Sequence, residues 1–284
     1  MLPPPYLLPV QGFLIVTVET SLVGYRAGGA TSLGINNIGD LPVGKNLHDH
    51  VSGSLFLKLR NLEKGLAIGS PLFNKSEYFT STAVDWISTI TIPNDLISAA
   101  AADGTGLDEL FDPGPRAHIE FLTVYAPIAG GGTEYRLPFD GTHISTPTLL
   151  LLPTSRGQVT LASMNATDDP IIDPGYLSTE VDRVLLREVY VRRYEQWEPH
   201  KGRAWLEGEA LHRVFRNSQI LSKCRHSSHG TIVDTECNVK VIRRLRVSDI
   251  SILPLPIASH YQTAMYVIAE ATAAMILEDE VPRA

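Results

Sequence analysis

The chain has little that would stitch, anchor or strongly charge it. Only two cysteines, Cys224 and Cys237, occur in 284 residues. That is too few for a disulfide framework and leaves two thiols or a single bridge. Basic residues are also short, with 24 Lys and Arg against 31 Asp and Glu and a net charge of -7. Such a balance gives no broad electrostatic footprint for a phosphate backbone, so nucleic acid is excluded as the natural partner and a small molecule or a protein is favoured. Long hydrophobic runs are missing too. The apolar stretch from Tyr6 to Val18 is interrupted by Pro9 and Gln11 and has no basic residue before it. It makes a poor signal peptide and falls short of the roughly 20 residues that a membrane span needs. A buried strand through "FLIVTV" is the better reading, which favours the cytoplasm and leaves the location otherwise unknown.

The standard catalytic and nucleotide signatures are absent as well. No G-x-S-x-G occurs, and "TSRGQ" lies in a connection rather than on a strand-to-helix turn, so a Ser-His-Asp hydrolase has no anchor. Neither G-x-G-x-x-G nor G-x-x-x-x-G-K-[ST] is present, and Gly130-Gly131-Gly132 is followed by "TEYRL" instead of a helix. Metal is offered by Cys224, His226, His229 and Cys237, and by the pair in "HDH". Their order does not match the Cys-Cys then His-His spacing of a finger, so no metal site is expected.

What is present is enough apolar material, 44% of the residues, to bury a substantial core in one large domain or two modest ones. The runs Thr148 to Leu152 and Gln158 to Ala162, joined through Gly157, predict a β-hairpin. Ser178 or Thr179 can cap a helix from Glu180 to about Gln196, with Val181, Val184, Leu185 and Glu188 on one side. A second helix is expected over Glu207 to Leu221, and one or two short strands in "NVKVIRRLRVSDISILP". The segment "AVDWISTITI" can be strand or helix. The last helix, from Thr263 to about Leu277, is apolar on nearly every side, which predicts a buried element. Immediately before it stands His260, between a proline-stopped segment and a helix N-terminus that favours an electron-rich group. A lone His there can be a cap. A second imidazole at the same point, with His226 as the natural candidate, would instead suit alcohol oxidation, which needs a base for the hydroxyl proton.

Three stretches in succession resemble one family, the glucose-methanol-choline (GMC) flavin oxidoreductases, especially the fungal branch. They are "SLGINNIGDLPVGKNLHDH", "LLPTSRGQVTLASMNATDDPIIDPGYLSTEVD" and "LRVSDISILPLPIASHYQTAMYVIAEATAAMI". The resemblance implies an α+β fold, an antiparallel-sheet substrate domain flanked by remnants of the FAD-binding domain. Its implied divisions are an uncertain segment 1–28, a flavin-domain segment and crossover loop 29–52, a substrate domain 53–222 and a return to the flavin domain at 223–284. It implies FAD as cofactor and an alcohol as substrate, in secondary metabolism. His226 and His260 would be the catalytic pair, with His229 the alternative for the first place. Asn46, Asp249, Ser251, Gln262 and Thr263 would face or support the flavin, and Asn46, Asp49 and His50 would fix the crossing between domains. The family's Gly-rich strand-turn-helix is not in this sequence, so a missing segment or a partner would supply the nucleotide fold. Two other readings stay open: a redox-silent cyclase or dehydratase on the same scaffold, and an inactive fragment.

Overall fold

Two antiparallel sheets are threaded by a chain that crosses between them twice. The structure, a computed structural model, describes residues 41–80, 84–101, 116–128, 137–165, 168–197, 232–240, 242 and 245–280. The expected N-terminal strand and the expected helix at 207–221 lie outside these residues.

The smaller sheet has the order β1-β6-β7, built from Lys45–Leu47 (β1), Gly157–Thr160 (β6) and Ile171–Asp173 (β7). The larger has the order β2-β5-β4-β3, from Val51–Lys58 (β2), His143–Leu150 (β5), Ile119–Val124 (β4) and Val84–Ile90 (β3). "AVDWISTITI" is therefore resolved as a strand, as its β-branched residues permit. Three helices complete the described fold: Asn94–Ala100 (α1), Glu180–Trp197 (α2) and Tyr261–Glu280 (α3).

Strand alternation sorts the larger sheet into two faces. Val51, Ile119, Phe121 and Leu150 point to one side and pack with Val181, Leu185, Leu186, Val189 and Tyr190 of α2. Each fully buried aliphatic side chain there contributes about 2 kcal/mol by removal from water. The buried stripe of α2 is rotated from the expected one. Val184 is only half-buried while Leu186 and Tyr190 are fully buried, because the stripe is selected by contact with the sheet as well as by spacing.

Three sequence expectations are corrected. The runs around Leu150 and Gln158 do not form a hairpin, since β5 and β6 belong to different sheets. Leu149, Leu151 and Leu152 form their own cluster with Ala117 and Leu122, and Asp182 of α2 then seizes the following turn, accepting from the Thr154 and Ser155 amides at 2.7 and 2.9 Å. The chain is redirected there toward the small sheet. Among the described residues, "NVKVIRRLRVSDISILP" forms only isolated bridges, Val233 to Val239 and Asn238 to Arg246, and a short 3-10 turn at Ile250–Ile252. Finally, α3 is not buried. Tyr261 and Thr272 are, and Ile268 packs against the cluster of Leu41, Val43, Ile232 and Val233. Tyr266, Val267 and Leu277 are instead exposed. A composition apolar all round identifies a helix that can be covered, but the described residues cover only one stripe of it.

Candidate active site at the entrance to the last helix

The triplet His48-Asp49-His50 spans the gap between β1 and β2, and so carries the chain from the small sheet to the large one. Each of its three residues makes hydrogen bonds at that crossing. His48 Nδ1 bonds the Asn46 carbonyl at 3.1 Å. Asp49 accepts from the His50 amide at 2.9 Å and from the Tyr176 hydroxyl at 2.9 Å. His50 Nε2 meets the Ile257 carbonyl at 3.3 Å, and its ring stacks on Tyr261 with centroids 4.3 Å apart. Burial, then the neighbouring Arg156 charge, holds the His48 pKa down to about 4; burial likewise holds His50 at about 4 against the Ile257 carbonyl. Both rings are neutral at neutral pH.

Asn46 joins the two crossings to each other. Its backbone sits at φ 65, a left-handed conformation that asparagine tolerates better than most residues. From there its Oδ1 accepts from Arg156 Nε at 2.8 Å and its Nδ2 donates to the Pro254 carbonyl at 3.2 Å. Arg156 also donates to the Pro153 and Ser155 carbonyls at 2.7 and 3.0 Å. Gly44, at φ +79 just before β1, has its missing Cβ position against the Val159 carbonyl, so only glycine fits where β1 meets β6.

These struts aim the segment 254–261, and with it His260. The imidazole of His260 precedes α3, is 57% exposed, and brings Nε2 to 2.7 Å from Oε1 of Glu120. Glu120 sits in β4 with its side chain only 6% exposed, on the face opposite Ile119 and Phe121. Sequence reasoning missed Glu120. The signal available was a single carboxylate inside the apolar strand "IEFLTV", where a charge is costly without a partner.

The other expected site residues fall as follows. Asp249 caps the 3-10 turn, accepting from the Ser251 amide at 2.7 Å, and Ser251 is buried. Gln262 and Thr263 lie exposed in the first turn of α3 next to His260. His226, His229 and Cys224 lie outside the described residues, and Cys237 is a buried free thiol. The structure thus brings His260, Gln262 and Thr263 to one helix entrance, with Asn46 behind them as a strut and Asp249 and Ser251 in a separate cap.

These residues suit one end of a flavin. Exposed Gln262 and Thr263, in the first turn of α3, offer side-chain donors to an electron-rich ring edge. The Asp249 carboxylate is already used in its cap.

An imidazole held by a buried carboxylate thus stands at a helix entrance, on a sheet reached by the "NLHDH" crossing. The GMC oxidoreductase C-terminal family model matches residues 153–269. The GMC-type oxidoreductase acuG of Aspergillus aculeatus is 44% identical over 84% of this chain and 50% of its own length. An alcohol dehydrogenase [acceptor] of Pseudomonas putida is 26% identical over 86% of this chain and 46% of its own. The crystal structure of formate oxidase shares the fold, with a TM-score of 0.69 at 22% identity, over 88% of this chain and 50% of that one. The chain belongs to the GMC oxidoreductase family, whose members are FAD flavoproteins. It spans about half the length of the curated relatives it matches. Among the described residues no helix is long and apolar enough to cross a membrane.

Proposed function

We propose that this chain carries the substrate-side machinery of an FAD-dependent oxidoreductase acting on the CH-OH group of an alcohol, with a place in secondary metabolism. The observation that carries the proposal is the 2.7 Å pairing of His260 with Glu120 at the N-terminus of α3. A carboxylate at Glu120 accepts a hydrogen bond from Nε2–H, and that fixes the tautomer in which Nδ1 keeps its lone pair. Nδ1 is then the atom that takes the hydroxyl proton of a bound alcohol, and Glu120 stabilises the resulting imidazolium. His226 is assigned by resemblance as the second imidazole, orienting the same hydroxyl. FAD, when bound, supplies the acceptor for the hydride that leaves the carbinol carbon. Gln262 and Thr263 would hold the ring edge from the first turn of α3, and Asn46, Asp249 and Ser251 would keep the surrounding backbone in place.

The test is to supply the purified chain with FAD and add a primary alcohol without oxygen. Loss of the oxidised-flavin absorbance supports the proposal. Binding of alcohol with no bleaching supports the redox-silent scaffold instead, and failure to retain FAD at all supports the inactive fragment.

A further inference from the structure

The sheet face that carries Glu120 continues into an apolar pair. Thr89 stands opposite Glu120, and Ile87 stands opposite Leu122, in the antiparallel register of β3 and β4. Residues two apart on a strand share a face, so Ile87 and Leu122 lie on the Glu120 side, about 7 Å further along. Leu122 is only half-buried, against Leu149 and Leu151. Ile87 is 58% exposed. Helix α2 packs on the other face, where Phe121 and Leu185 belong to one cluster. Past the exposed Thr89, which stands across from Glu120, the sheet therefore presents hydrocarbon at Ile87 and Leu122.

We infer that the alcohol taken by this site has an apolar body, a ring or a hydrocarbon chain, which lies on Ile87 and Leu122 while its single hydroxyl reaches His260. The inference rests on the oxidoreductase reading above and specifies its substrate class. A polyol or sugar laid in the same direction would press further hydroxyls onto Ile87 and Leu122, which return no hydrogen bond for the water displaced. An apolar body loses only water that it holds weakly. The surface is continuous with the reacting pair, and this commits its occupant to the substrate's own body.

The experiment is a ligand-observed NMR titration of the full chain, without flavin, using 4-methylbenzyl alcohol and sorbitol. The aryl alcohol is expected to bind at least tenfold more tightly than sorbitol. Ile87→Asn, at an exposed position that the core does not use, is expected to weaken the aryl alcohol about tenfold while leaving the circular dichroism unchanged. Ile87→Val serves as the conservative variant and should retain most of the binding. Sorbitol binding as tightly as the aryl alcohol, or aryl-alcohol binding indifferent to Ile87→Asn, overturns the inference. Because this binding is read without flavin, a failure of the FAD-supplied chain to oxidise alcohol counts against the reaction alone.

Discussion

Nε2 of His260 and Oε1 of Glu120 meet at 2.7 Å although 140 residues separate them in the chain. One comes from the last connection before α3 and the other from an inner strand of the larger sheet. The contact engages Nε2 and leaves Nδ1 as the nitrogen that the proposed reaction uses. If Glu120 is replaced by Gln, the imidazole loses its charged acceptor, and kcat for alcohol oxidation is expected to fall roughly 100-fold with little change in KM. Nitrogen-15 NMR of the histidines gives a second readout. The wild-type His260 should hold its proton on Nε2, and Glu120→Gln should mix the tautomers, which loss of packing alone would not do.

His50 and Tyr261 form the joint that aims this imidazole. Tyr261 is 5% exposed and stacks on His50 with an interplanar angle of 19°. Tyr261→Ala should cost about 3 kcal/mol, as expected for removing a buried aromatic ring. Denaturant unfolding measures it. An effect under about 0.5 kcal/mol would show that the stack does not support the entrance of α3.

Acid should destabilise the fold through the same crossing. His48 and His50 titrate near 4 in the folded chain against an ordinary 6.5, so the unfolded chain binds protons that the folded one excludes. The stability these rings contribute is fully present above pH 6.5 and is lost as the pH falls through 6.5 toward 4. The loss amounts to about 3 kcal/mol for each ring. Thermal midpoints measured from pH 7 to pH 4.5 should drop steadily. A flat profile would contradict burial of the two rings as neutral groups.

Asp182 is the pivot of the second crossing. It is fully buried and accepts from the Thr154 amide, the Thr154 hydroxyl and the Ser155 amide at 2.7, 2.8 and 2.9 Å. Asp182→Ala leaves these donors buried without their acceptor and should cost about 3 kcal/mol. Asp182→Asn, which keeps one acceptor oxygen, should cost less. Equal losses for the two variants would mean that packing, not hydrogen bonding, holds the turn.

Much of the site's scaffold was legible because its parts are local. Thr179 starts α2 as expected, its hydroxyl accepting from the Asp182 amide at 3.4 Å, and His260 stands at the start of α3 as its position before an apolar run implied. The role of the "NLHDH" crossing came through the family resemblance, which implied that Asn46, Asp49 and His50 fix it. What could not be read depends on partners far away in sequence. Adjacent apolar runs look alike whether they pair with each other or with distant strands, so β5 and β6 read as a hairpin. The orientation of Glu120 depends on the β4 register. The exposure of α3 depends on which neighbours are there to cover it, and its composition is silent on that point. The place of His226 relative to His260 lies outside the described residues and remains part of the proposal.

The account depends most on His260 acting as the base while hydride leaves the substrate. The direct measurement is the single-turnover rate of flavin reduction, without oxygen, in FAD-supplied protein mixed with 4-methylbenzyl alcohol and with its α-deuterated form. The expected result is reduction slowed by deuterium in the wild-type chain, and at least 100-fold slower in His260→Ala. Reduction at the wild-type rate in His260→Ala would contradict the account.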